Sequence, residues 1–223
     1  MNITENSQQG IELETADDPD ACVIWLHGLG ADASDFVPVV SELRLPASFR
    51  VRFIFPNAPV IPITINQGYR MRGWYDITSM EIGDREEDAD GIAASSDRIV
   101  TLIEKQIAGG IASERIVIAG FSQGGAIALH AALQSPSALA GVMALSTYLP
   151  RCAGLDEHTG RVLNVFMAHG TEDEIVKYQY GKMSKDALIS HEHAVKWHIY
   201  DMGHSVCNDE ISDISSWLQQ TLS

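Results

Sequence analysis

Ser122 sits at the centre of Gly120-Phe121-Ser122-Gln123-Gly124, a G-x-S-x-G pattern that presents a nucleophilic serine when it joins a strand to a helix. The β-branched run Arg115-Ile116-Val117-Ile118-Ala119 precedes it, and the helix-forming stretch Ala126 to Leu133 follows it. A serine in such a turn is forced into strained backbone, while the flanking glycines leave room for strand and helix to approach. Its hydroxyl is then lifted above a sheet edge. At neutral pH a serine hydroxyl is a poor nucleophile; it needs a base to take its proton and a third group to orient that base.

Among eight histidines, His204 has the setting such a base requires. It lies in Met202-Gly203-His204-Ser205, directly after the apolar run ending at Tyr200, and so on a loop at a strand end, where open parallel sheets carry reactive groups. His158, His191 and His193 lie in polar surroundings and read as surface residues, and His130, in the helix after Ser122, reads as a packing residue. The orienting carboxylate belongs after another strand. Asp173, in Ala168-His169-Gly170-Thr171-Glu172-Asp173, follows the run Asn164 to Ala168; Glu172 and Glu174 compete with it on spacing alone, whereas Asp156 is anchored to no strand. Ser122, Asp173 and His204 then occur in the chain order of an α/β-hydrolase. Attack on an ester carbonyl develops negative charge on oxygen, which backbone N–H groups must meet. Gln123 N–H, at the start of the helix after Ser122, is one such donor. The loop Trp25-Leu26-His27-Gly28-Leu29-Gly30-Ala31-Asp32 supplies the other: Gly28 and Gly30 let it bend inward, and Leu29 N–H is the expected donor.

These groups need a sheet to stand on. Apolar runs at Ala21 to Leu26, Val51 to Phe55, Ile116 to Ala119, Gly141 to Leu145, Asn164 to Ala168 and Val195 to Tyr200 predict strands buried on both faces, and Ile11 to Glu14 a short antiparallel edge. Between them, Ile92, Ile99, Ile103 and Ile107 mark a helix that stops at Gly109-Gly110, and Ile211, Ile214, Trp217 and Leu218 mark a last amphipathic helix. Strands alternating with helices predict an α/β fold with a mostly parallel sheet covered on both faces. Pro56, Pro59 and Pro62 prevent regular helix at the start of the Pro56 to Asp90 stretch, which reads as an excursion over the sheet. The acidic run Glu81, Asp84, Glu86, Glu87, Asp88 and Asp90 reads as a solvated helix start, and no metal is assigned to it.

With 223 residues, 45% hydrophobic, and no repeat or linker, the expectation is one domain over residues 1–223. A net charge of -15 opposes docking on nucleic acid or anionic lipid. The first twenty residues lack a basic start and a signal-length apolar core, and nothing elsewhere approaches a membrane span, so a cytoplasmic protein without stable membrane insertion is expected. Cys22, Cys152 and Cys207 are widely spaced, which suggests idle thiols rather than disulfides or zinc ligands.

With these residues laid out, the chain resembles the carboxylesterase/acyl-protein thioesterase family of small serine α/β-hydrolases from about Cys22 to Leu218. The likeness rests on Leu26 to Asp32, on Met71-Arg72-Gly73-Trp74-Tyr75-Asp76-Ile77, on Ala119 to Gly125, on Leu145-Ser146, on His169 to Asp173 and on Met202-Gly203-His204. It implies an α/β-hydrolase fold with a minimal lid, Ser122 as nucleophile, His204 as base, Asp173 rather than its neighbours as orienter, and Leu29 with Gln123 as oxyanion donors. Family members hydrolyse carboxylic esters, lysophospholipids or acyl thioesters on proteins, without cofactor or metal. The resemblance also implies a flap beside an acyl groove in the segment from Val60 to Trp74, which on its own residues reads equally as a short hairpin closing the core. Leu29, Ile65, Met71, Trp74 and Val176 are the expected substrate contacts. Two departures bear on that groove: the family often has serine where Gly73 stands, and a proline soon after the valine pair where Ile175-Val176-Lys177 occurs here. The expected activity is hydrolysis of short-to-medium acyl esters through a Ser-His-Asp triad, with acyl-protein thioesterase or lysophospholipase action on longer chains as the alternative. The substrate is a small-molecule ester or acyl thioester, and an exposed apolar flap allows a homodimer.

Overall fold

The computed structural model describes residues 2–6, 10–79, 87–155 and 161–223. Two antiparallel strands, β1 (Asn2–Asn6) and β2 (Gly10–Glu14), lead into β3 (Ala21–Leu26), the short helix α1 (Val39–Glu42) and β4 (Val51–Pro56). A hairpin of β5 (Val60–Ile63) and β6 (Tyr69–Arg72) follows, and then α2 (Ala89–Ala108), β7 (Ile116–Phe121), α3 (Gln123–Gln134) and β8 (Gly141–Leu145). The chain closes with β9 (Asn164–Gly170), α4 (Tyr178–Ser190), β10 (Ala194–Tyr200) and α5 (Asn208–Thr221).

Eight strands make one sheet in the order β1-β2-β4-β3-β7-β8-β9-β10, parallel from β4 through β10 and antiparallel only at β1 and β2. The period-two alternation of each strand sorts its side chains between two cores. Cys22, Ile24 and Leu26 of β3, with Ile116 and Ile118 of β7, pack with α2, α3 and α4. Ala21, Val23, Trp25, Val117 and Ala119 face the other way, onto α1 and α5. Because both faces are covered, these strands carry no polar alternation and read as continuous apolar runs.

The helices follow the expected stripes. Ile92, Ile99 and Ile103 of α2 are buried, and the helix ends at Gly109 with Gly110 in the left-handed region at φ 99°. The start of α2 is capped by Asp88, whose carboxylate accepts from Gly91 N–H at 2.9 Å and from Asp76 N–H at 2.8 Å. Asp88 thus gives the acidic run its role as a helix start; Glu81, Asp84 and Glu86 of that run lie outside the described residues, as do Asp156 and His158. In α5, Ile211, Ile214, Trp217 and Leu218 face the sheet. Glu210, in its first turn, is fully buried with neither oxygen in a full hydrogen bond among the described residues. Burial pushes its carboxyl up to about 8, although the Cys207 N–H partly offsets this.

Several expectations need correction. The strand Ile11 to Glu14 is not the sheet edge, because β1 pairs outside it. The hairpin reading of the Val60 to Trp74 segment is the one the fold takes: β5 and β6 form a two-stranded sheet separate from the main one. His193 is buried rather than a surface residue, since its Nδ1 accepts the Leu163 N–H at 3.2 Å where β9 begins. No helix among the described residues is long and apolar enough to cross a membrane.

Candidate active site

Ser122 occupies the turn between β7 and α3 with φ 54° and ψ -122°, a region that L-residues rarely enter. Its backbone is held on three sides. The Ser122 N–H donates to Leu145 O at 2.9 Å, the Thr147 hydroxyl donates to Ser122 O at 2.6 Å, and the N–H groups of Gly125 and Ala126 donate to that same oxygen. The glycines are demanded by contact: a Cβ on Gly124 would stand 2.5 Å from His27 O and 2.6 Å from Leu26 O, and one on Gly120 would collide with Gly124 O. Strand, turn and helix can meet this closely only without those side chains.

His204 and Asp173 come from loops after β10 and β9, and their side chains are joined by a 2.7 Å hydrogen bond between His204 Nδ1 and Asp173 Oδ2. Asp173 is 5% exposed, whereas Glu172 and Glu174 are exposed, so of the three acids only Asp173 points into the protein. Its other oxygen accepts the N–H groups of Ile175 at 3.0 Å and Val176 at 2.9 Å. Burial works to raise the Asp173 carboxyl, but the hydrogen bond and charge of His204, with the Val176 N–H, outweigh it and hold the group below its ordinary value. Asp173 is therefore a carboxylate at neutral pH. The His204 ring packs on Phe121, the residue before Ser122, at 4.7 Å between centroids. Among the described residues no hydrogen bond joins Ser122 Oγ to the imidazole; such contacts commonly tighten only once substrate is bound.

The loop after β3 reaches the same place. A Cβ on Gly28 would lie 3.5 Å from Ser122 Cβ, which sets how near this backbone comes to the serine. Gly30, at φ 79°, turns the chain and donates its N–H to Arg72 O at 2.8 Å. Neither Leu29 N–H nor Gln123 N–H donates to another described group of the protein, so both are free to meet a developing anion.

Two features of this neighbourhood escape a reading of spacing. The Gln123 side chain is a two-way brace, accepting Trp74 N–H at 2.8 Å and donating to Tyr75 O at 2.7 Å. His27 is the second brace. Its Nδ1 faces Gly28 O at 2.7 Å while Nε2 accepts Ala58 N–H at 3.1 Å, and burial lowers its proton affinity, so it is a neutral imidazole with one fixed tautomer. Gln123 could have been flagged as a buried polar residue at a helix start, but nothing in Leu26-His27-Gly28 marks the histidine as structural.

The expected groove residues are only partly brought together. Leu29, Ile61 and Ile63 converge on Gly73, where a Cβ would lie 3.1, 3.4 and 3.0 Å from their terminal methyl carbons. Met71 stands beside Gly30, and Ile65 sits farther along the hairpin turn, its N–H bonded to Ile77 O. Trp74 is 2% exposed and acts as a brace, its indole N–H donating to His27 O at 2.9 Å and its ring lining a cavity of about 540 Å³ between β2, β4 and α2. Val176 is buried in the loop that carries Asp173.

A family profile described as phospholipase/carboxylesterase matches residues 10–222. The chain belongs to that family. It is 40% identical over 221 residues to acyl-protein thioesterase 1 of Mycosarcoma maydis, covering 92% of each chain. It is 41% identical over 213 residues to the protein of that name in Neurospora crassa, covering 91% of this chain and 87% of the relative. Among solved structures, Arabidopsis thaliana SOBER1 superposes with a TM-score of 0.85 at 28% identity, over 91% of this chain and 99% of the other. Zea mays acyl-protein thioesterase 2 gives 0.81 at 25%, over 96% and 100%. This family member has the α/β-hydrolase fold and is a serine hydrolase of the esterase class.

Proposed function

We propose that this hydrolase cleaves acyl thioesters, removing long acyl groups from cysteine thiols by way of an acyl-enzyme on Ser122. Asp173 fixes the His204 ring with its Nδ1–H toward the carboxylate, leaving Nε2 to take the Ser122 proton as Oγ attacks the carbonyl carbon. The N–H groups of Leu29 and Gln123 receive the charge on the carbonyl oxygen. His204 then gives its proton to the leaving thiolate, and water, activated by the same imidazole, releases the acid. The observation that carries the assignment of roles is the 2.7 Å His204–Asp173 bond beside a strained serine elbow. Identity of 40–41% to relatives named acyl-protein thioesterase 1 favours the thioester over the short-to-medium acyl ester as preferred substrate.

The test sets an S-palmitoyl peptide against p-nitrophenyl esters of rising chain length and a lysophospholipid, for the wild type and Ser122→Ala. The thioester should give the highest kcat/KM, and the variant should lose several powers of ten on every substrate. A short-chain ester turned over ten times better than the thioester would replace this reading with a general carboxylesterase. Undiminished hydrolysis by Ser122→Ala would remove the serine from the scheme.

A further inference from the structure

His169, the penultimate residue of β9, stands just before the loop that carries Asp173, yet the scheme above gives it no part. It is fully buried, and its Nε2 sits 2.7 Å from Val176 O and 3.5 Å from Asp173 Oδ2. A carbonyl can only accept, so Nε2 bears the proton. Nδ1 has no hydrogen-bond partner among the described residues and is pressed by Gly181 of α4, where any Cβ would collide with the ring. Tyr178 and Trp197 flank the ring, each at 6.2 Å between centroids. Burial lowers its proton affinity, in keeping with a neutral imidazole in one tautomer.

The consequence concerns one residue, Val176, held at both its N–H and its C=O. Val176 N–H donates to Asp173 Oδ1 and Val176 C=O accepts from His169, so the residue that anchors one carboxylate oxygen is itself gripped by His169. The remaining oxygen, Oδ2, faces His204 at 2.7 Å with the His169 N–H on its flank. We propose that His169 is a positioning residue which, by holding the Val176 carbonyl and flanking Asp173, aims the Asp173 carboxylate at His204. This rests on Ser122, His204 and Asp173 being the catalytic groups.

The amide nitrogen of glutamine reaches the place of Nε2, whereas that of asparagine stops near Nδ1, so the two variants separate hydrogen-bond geometry from polarity. His169→Gln should keep kcat within about threefold of the wild type. His169→Asn and His169→Leu should lose roughly 10- to 100-fold in kcat, the range in which partners that orient a reacting ligand act, with KM little changed. The downfield proton resonance of His204 Nδ1–H, a readout of the His204–Asp173 bond that needs no turnover, should persist in the Gln protein and weaken or vanish in the other two. Gln and Asn proteins with equal kcat, or an unaltered resonance in folded His169→Asn, would overturn the proposal. If His169→Leu fails to fold, the Gln and Asn pair decides. Full activity of Ser122→Ala sinks the triad instead, and the resonance still reports on His169.

Discussion

Replacing Ser122 by glycine and by alanine removes the same hydroxyl, the proposed nucleophile, but only glycine relieves the backbone at φ 54°, ψ -122°. Holding an L-residue in such a region costs on the order of 1–3 kcal/mol. Glycine returns about 0.4–1 kcal/mol of that through the greater freedom of its unfolded chain. The glycine variant should therefore exceed the alanine variant by about 0.5–2 kcal/mol, with a Tm higher by roughly 2–6 °C for a chain of this size. Urea unfolding at neutral pH followed by circular dichroism measures the difference, and equal m-values for the two proteins license the comparison. An alanine variant as stable as the glycine variant, at the same m-value, would show that the elbow stores no strain.

Four further outcomes follow from the contacts described. Gly124→Ala must displace His27 O and Leu26 O, so it should cost at least about 2 kcal/mol and much of the activity; a folded, active variant would contradict the close approach of β3 and α3. Gln123→Ala removes the acceptor of the buried Trp74 N–H, at roughly 1–3 kcal/mol, and a donor to Tyr75 O, while keeping the backbone N–H at residue 123. It should lose stability yet remain far more active than Ser122→Ala, as thermal melts and initial rates will report. Gly73→Ser crowds Leu29 and Ile63 and should change the chain-length profile on p-nitrophenyl esters without changing the response to a fluorophosphonate label. Glu210 makes stability depend on pH: its carboxyl ionises near 4.5 when unfolded and near 8 when folded, so the native state binds the extra proton between those values. Stability should fall by a few kcal/mol as pH rises through that window and level off above it, and Glu210→Gln should flatten the trend. Parallel urea midpoints for the two proteins at pH 5, 7 and 9 would dismiss it.

The sheet was legible because parallel strands covered on both faces leave uninterrupted apolar runs, as in Ala21 to Leu26 and Gly141 to Leu145. The helix Tyr178–Ser190 left no such trace: its buried face is Gly181, Ser184 and Leu188, and Met183 is exposed. The β5–β6 hairpin was legible only as one of two readings, because Pro62 argues against a strand except in a short two-stranded ribbon. At the site, the residues that take part in the proposed chemistry were found by their spacing from strand ends, and burial now separates Asp173 from the exposed Glu172 and Glu174. The residues that hold them were not found. The neutral histidines His27 and His169 act through hydrogen bonds to backbone groups, Gly28 O and Ala58 N–H for the first and Val176 O for the second, and no residue pattern announces partners that are backbone atoms.

Among the described residues the β5–β6 hairpin shares no ladder with the eight-stranded sheet; Gly73 N–H to Pro59 O at 3.0 Å closes its base, Arg72 donates to Ala58 O beside it, and Gly30 N–H ties Arg72 O to the loop after β3. Its strands take register only from each other. Under the proposed function, the segment between Pro59 and Gly73 is a cassette whose drift or grafting, where the tie of Arg72 O to Gly30 is kept, retunes the acyl group admitted, while Ser122, Asp173 and His204 stand after other strands and keep their own supports.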